Sequence, residues 1–169
     1  DGGATFTTVP ASEISGTSVT HVAAGLTASA TVQFRVVDAA GNPGPVATQA
    51  VTIDTSAPAT PAAPMSYEDD VGPVTDSAST ATATDDTRPG INIGAGLTDT
   101  PTLYVDGAEV AATYDATTGT LTPDVALGEG SYALTYTLTD AAGNESMPSG
   151  ALNLTVDTTA PATPTAPTS

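Results

Sequence analysis

One passage of this chain occurs twice. Residues 32–64 read VQFRVVDAAGNPGPVATQAVTIDTSAPATPAAP, and residues 134–167 read LTYTLTDAAGNESMPSGALNLTVDTTAPATPTAP. Asp38 recurs as Asp140 and Asp54 as Asp157, a period of 102–103 residues with one small insertion. Solenoid units are roughly 20–50 residues long, so this period instead suits tandem small β domains. The 169 residues hold less than two periods. We therefore expect residues 1–54 to be the C-terminal part of a module whose opening strands are missing. Residues 55–64 read as a Pro-rich linker, 65–157 as a complete module, and 158–169 as a linker toward a following one. The chain then reads as a piece of a longer array.

Apolar residues alternate with a period of two wherever they cluster, and no stretch carries a helical stripe. In Ser131–Asp140, Tyr132, Leu134, Tyr136 and Leu138 share one face, opposite Ala133, Thr135, Thr137 and Thr139. The first copy repeats this with Val32, Phe34 and Val36 inward and Gln33 and Arg35 outward. Leu152, Leu154 and Val156 make a last strand, matched by Val51 and Ile53. Further strands are expected over Arg88–Gly94, Thr102–Asp106, Glu109–Asp115 and Thr120–Val125, separated by turn signals at Asp106-Gly107, Thr118-Gly119 and Gly128-Glu129-Gly130. About seven short strands so spaced predict an all-β fold of tandem immunoglobulin-like sandwiches, the first one N-terminally truncated. Tyr132 stands where a tyrosine corner would sit, its counterpart being Ala30; a plain core tyrosine is the other reading.

Prolines punctuate the ends of both copies. Pro58, Pro61 and Pro64 are three apart, as are Pro161, Pro164 and Pro167. Polyproline II has three residues per turn, so each set lies along one edge of an extended, semi-rigid connector.

Nineteen acids against two arginines, Arg35 and Arg88, give a formal charge of −17. Such a surface repels a phosphate backbone and an anionic membrane, so neither nucleic acid nor a bilayer is an expected partner. No apolar run approaches ~18 residues, so direct membrane insertion is not expected either. Fourteen of the acids are Asp, suited to turns and to hard-cation ligation. Zero cysteine excludes disulfides and thiolate zinc sites, and zero lysine excludes Schiff-base catalysis and Lys–Asn crosslinks. Aromatics at 4% predict a small aliphatic core, and the absence of tryptophan argues against a sugar platform. The single His21, without cysteine, lysine or a G-x-S-x-G elbow, assembles no nucleophilic machinery, so no enzyme is expected. His21 reads as a partly exposed strand residue.

The motifs EDDVGPVT (Glu68–Thr75), ATDDTRPGI (Ala83–Ile91), TDAAGNES (Thr139–Ser146) and VDTTAPATP (Val156–Pro164), in that order, resemble bacterial Ig-like repeats. These are the repeats of the extender regions of calcium-dependent giant adhesins (biofilm-associated, RTX type) exported by type I secretion. The resemblance covers nearly all of residues 65–167 and the last third of the first copy. One departure is TDSASTATATDD, where such repeats often carry glycines, so the conformation of residues 76–84 is left open.

The resemblance implies Ca²⁺ between or beside consecutive modules. Calcium takes six to eight oxygens at roughly 2.3–2.6 Å. With termini at opposite poles, the last strand of one module hands over at the upstream pole of the next. The expected site there combines Asp54, Asp69 and Asp70 with Asp140 and Asn144. Asp85 and Asp86 are further candidates. Asp38 and Asn42 would serve a joint to an earlier module, and Asp157 a joint to a later one. Adjacent carboxylates repel without a cation, which favours ligation at Asp69-Asp70 and Asp85-Asp86. Asp140/Asn144 reads equally well as a plain Asx turn, with Gly143 supplying positive φ, and Asp86 as a partner of Arg88. Neither an EF-hand loop nor a nonapeptide calcium repeat is present. Asp99, Asp106, Asp115 and Asp124 read as turn residues.

The resulting expectation is a monomeric structural extender of an extracellular or cell-surface adhesin, whose partners are the neighbouring modules of the same chain. An accessory module of a secreted polysaccharide-active enzyme, and a directly ligand-binding adhesive module, are the alternatives.

Overall fold

The computed structural model describes residues 8–9, 14–15, 18–19 and 28–164. The chain divides into two units, Asp1–Thr55 and Ser56–Ser169. His21 and Pro167 lie outside the described residues.

In the first unit, β1 (Ile14–Ser15) pairs with β2 (Ser18–Val19), and β3 (Ala30–Phe34) with β4 (Ala47–Val51), both antiparallel. Val32 is half-buried, but Phe34 is 57% exposed and Val36 80% exposed, against the inward placing that alternation predicts. The alternation itself holds. What differs is that the face carrying Phe34 and Val36 stays open.

The second unit carries ten strands among its described residues: β5 (Tyr67–Asp69), β6 (Asp76–Ser79), β7 (Ala83–Thr84), β8 (Gly90–Asn92), β9 (Thr100–Val105), β10 (Ala108–Val110), β11 (Ala112–Asp115), β12 (Thr120–Pro123), β13 (Gly130–Thr139) and β14 (Leu152–Val156). They form two five-stranded sheets, ordered β10-β9-β13-β14-β7 and β11-β12-β8-β5-β6. The long strand β13 sets the register. Leu134 stands opposite Val105 on one side and Leu152 on the other, while Tyr136 stands opposite Leu103. A slip of one residue would turn every one of these side chains outward, so burial fixes the pairing. Leu103, Leu134, Tyr136 and Leu154 from this sheet meet Tyr67, Ile91 and Leu121 from the other, giving the small, mainly aliphatic core that the composition predicts.

Two stretches change sheets. The strand expected over Glu109–Asp115 is broken at Ala111, so β10 ends in the first sheet and β11 begins in the second. Residues 76–84 do the same: β6 is an edge of the second sheet and β7 an edge of the first. Changing sheets leaves only short edge strands, which limits edge-to-edge association. The β7 strand runs parallel to β14, with Val156 opposite Thr84, whereas the other strand pairs are antiparallel. That one parallel pairing brings residues 85 and 86 beside residue 157.

At the turn into β13, the Tyr132 hydroxyl donates to the Gly128 carbonyl at 3.0 Å, which settles the open reading in favour of a tyrosine corner. Between β9 and β10, Asp106 and Gly107 have φ of +52° and +80°, the left-handed pair that a two-residue hairpin requires.

Candidate metal centre

The strand ends that close the downstream pole of the second unit carry five aspartates. Asp69 ends β5, with Asp70 next; Asp85 and Asp86 follow β7; Asp157 follows β14. The Asp157 N–H donates to the Thr84 carbonyl at 2.8 Å, extending the parallel ladder to the pole. Thr84 ties the third strand in, because its hydroxyl donates to Asp69 Oδ2 at 2.8 Å and accepts the Asp86 N–H at 3.0 Å. Asp69, Ser79, Ala83, Thr84, Asp85 and Asp157 line one open hollow. Gly72, at φ +76°, turns the chain over it so closely that a Cβ there would run into the Asp85 carboxylate.

Asp86 is the most constrained of the five, only 2% exposed. Its Oδ1 accepts the Arg88 N–H at 2.7 Å. Burial pushes its carboxyl above the usual range, the Arg88 N–H pulls it back, and the charges of Asp70 and Asp69 raise it further. The guanidinium of Arg88 is spent elsewhere, on the Asp124 carbonyl, so Arg88 serves Asp86 through its backbone rather than its charge.

The two DAAGN loops are built alike. Asp140 Oδ1 accepts the N–H groups of Ala142 and Asn144, each at 2.9 Å, and Oδ2 accepts the Asn144 side-chain amide at 2.9 Å. In the first unit Asp38 Oδ1 accepts from Ala40 at 2.9 Å and from Asn42 at 2.8 Å, and Oδ2 from the Asn42 amide at 2.9 Å. Gly143 and Gly41 have φ of +89° and +90°. In both loops the Asn side-chain amide, first, and then backbone N–H groups hold the carboxyl below its usual range. Both oxygens are therefore engaged by the loop's own donors, as a plain Asx turn requires.

Within the second unit, the residues expected to share a site do not come together. Asp69 and Asp70 stand at the downstream pole, while Asp140 and Asn144 stand beyond the other end of β13, whose ten residues at ~3.3 Å each span roughly 30 Å. The reason is the direction of β5, which runs from the linker toward Thr84 and so carries its acids away from the DAAGN loop. Asp54 is exposed and belongs to the first unit. The structure instead groups Asp69, Asp70, Asp85 and Asp86 with Asp157.

Among the described residues, no three acidic or histidine side chains already converge as a metal-holding group. The downstream pole nonetheless has the donor chemistry of a hard-cation site: oxygen only, from adjacent carboxylates, with no cationic side chain bonded to them in the hollow. In the DAAGN loops each carboxylate oxygen accepts a hydrogen bond from the loop's own donors.

Sequence reasoning missed two residues at this pole. Thr84 has no sequence signal as a carboxylate partner. Glu129 reads only as part of a Gly-rich turn, yet its Oε1 accepts the hydroxyls of Thr158 and Thr159, each at 2.7 Å. The four acids read as turn residues behave variously: Asp106 Oδ1 accepts the Ala133 N–H at 2.8 Å, tying the β9–β10 turn to β13, and Asp115 Oδ1 accepts the Thr117 N–H at 2.7 Å within its own turn. Asp124 Oδ1 accepts the Thr113 hydroxyl and Asp99 Oδ1 faces that of Thr98.

Among the described residues no helix is long and apolar enough to cross a membrane. No curated protein matches the chain. A family profile described as a bacterial Ig-like domain matches residues 60–158, and a second profile with the same description matches residues 8–55. With the first match covering more than half of its length and two sandwich-forming sheets in the matched segment, the chain belongs to the bacterial Ig-like domains.

Proposed function

We propose that this chain is a length of structural extender from a large bacterial adhesin, displayed outside the cell and stiffened by calcium where each module hands over to the next segment. The observation that carries this reading is the gathering of Asp69, Asp70, Asp85, Asp86 and Asp157 at the end from which the Pro-rich segment departs. The tandem modules, the semi-rigid proline ladders and the charge of −17 agree with a soluble spacer rather than a catalyst. Export by type I secretion and a role in biofilm or host-surface attachment complete the proposal.

Calcium at this pole would supply charge neutralisation and a shared ligand for strand ends that otherwise repel. Asp85, Asp86 and Asp157 would hold it together with Asp69 or Asp70, and carbonyls and water would complete the oxygen shell. Extracellular calcium modules bind with Kd on the order of 10⁻⁴–10⁻³ M. At ten times Kd the ion stabilises the folded module by ~1.4 kcal/mol through mass action. For a domain of this size that raises the melting midpoint by roughly 5–10 °C. Thermal melts of the full chain in calcium and in chelator test this. The rise should vanish in Asp85→Asn/Asp86→Asn and survive in Asp140→Asn. An unchanged midpoint for the parent chain, or an equal loss in Asp140→Asn, would refute the site.

A further inference from the structure

We propose that Glu129 is a positioning residue that fixes the direction in which the chain leaves the second module, independently of any metal. Three successive residues beyond β14 are tied down. The Asp157 N–H is held by the Thr84 carbonyl, and Asp157 Oδ1 in turn accepts the Thr159 N–H at 3.0 Å. The hydroxyls of Thr158 and Thr159 both donate to Glu129 Oε1.

Glu129 is itself anchored. It stands between Gly128 and Gly130, and the Gly128 carbonyl is the acceptor of the Tyr132 corner, so the turn carrying the carboxylate is locked to the first residues of β13. The two hydroxyls, Thr159 first, hold the Glu129 carboxyl below its usual range, which keeps it the charged acceptor that makes such bonds short and strong. Two residues later comes Pro161, whose fixed φ begins the extended ladder, so a direction set at Thr158–Thr159 is carried along the segment rather than lost in it. In the first copy the aligned residue is Thr27, with no carboxylate, so this acceptor is particular to the second copy's sequence.

Because the chain has no cysteine, Ala108→Cys and Thr163→Cys provide a unique pair for spin labels, one on β10 and one in the outgoing segment. Distances are measured by double electron–electron resonance on the full chain with chelator present, which separates the result from the calcium reading. The parent chain should give a narrow distribution. Glu129→Ala and Thr158→Ala/Thr159→Ala should each widen it about twofold, as an extended segment released at its root samples more directions. Glu129→Gln, which keeps an acceptor oxygen, should retain most of the narrowness. The melting midpoint of the module should move by less than ~3 °C in the threonine variant, since those residues lie outside the strands. Equal widths in the parent, Glu129→Ala and the threonine variant would overturn the proposal, as would a Glu129→Gln distribution as wide as that of Glu129→Ala.

Discussion

Asp86 and Asp140 are both aspartates next to a turn, and they behave oppositely. Asp140 has every oxygen engaged by donors of its own loop and sits below its usual value of 3.8. Its contribution to stability is complete above the unfolded value and is lost as pH falls through the lower folded one. Asp38 adds a like contribution in the first unit. Asp86 is buried and raised, so the native state holds its proton more tightly than the unfolded chain does, and stability is lost as pH rises through the folded value. In chelator, melts across the acidic range should therefore rise to a maximum near the usual aspartate value and decline above it, as Asp86 ionises in the folded state. Asp86→Asn should flatten the decline above that maximum, and Asp140→Ala should cut into the stability above pH ~4. If Asp86→Asn leaves the decline unchanged, the burial of that carboxylate has no energetic consequence. At Tyr132, removal of the corner hydroxyl in Tyr132→Phe should cost about 1 kcal/mol, the ordinary net value of one hydrogen bond, read from chemical denaturation.

At the scale of elements, β13 holds the module together because it is paired along both edges and faces the core. Leu134→Ala, at a residue only 1% exposed, should cost about 2–5 kcal/mol, whereas Val125→Ala on the surface should cost less than ~0.5 kcal/mol. Gly119 closes the turn between β11 and β12 at φ +80° against the backbone of Gly94 and Ala95, so Gly119→Ala meets both strain and overlap and should lower the denaturation midpoint measurably. The strands of this half of the fold were legible in the sequence because their apolar residues alternate: β9, β12, β13 and β14 fall within a residue or two of their expected bounds. The break at Ala111 was not legible, because alternation continues through a sheet change. Strands β5, β6 and β7 were missed for a different reason. Apart from Tyr67 and Glu68 in β5 their residues are Asp, Ser, Thr and Ala, and they become strands by pairing, β5 with β8 and β6, and β7 with β14, a tertiary effect with no alternating signature. That omission displaced the candidate site as well. With β5 and β7 unplaced, nothing in the sequence told that Asp69 runs away from the DAAGN loop and toward Asp157.

For the whole molecule, the repeat is deeper than its letters. Ala30 opposite Val51 in the first unit corresponds to Tyr132 opposite Leu154 in the second, and the Val37–Pro43 bridge to the Thr139–Glu145 bridge. The two copies thus share the register of their last hairpin and the hydrogen bonds of their DAAGN turns. They differ in what covers the hairpin: Tyr136 is 4% exposed, and its counterpart Phe34 is open. The duplicated DAAGN motif builds the same hydrogen-bonded turn in both copies, and of the acids gathered at the downstream pole only Asp157 belongs to the duplicated passage. A charge of −17 spread over such turns destabilises the compact state by self-repulsion, and the proposed cation at the downstream pole would offset that where the carboxylates are most crowded. The central claim is that calcium binds there, and an amide-resolved NMR titration of the full chain with calcium addresses it most directly. The account predicts saturable shifts, with a midpoint on the order of 10⁻⁴–10⁻³ M, concentrated at residues 69–74, 84–87 and 157–159. Shifts confined to residues 140–144, or none that saturate, would contradict it.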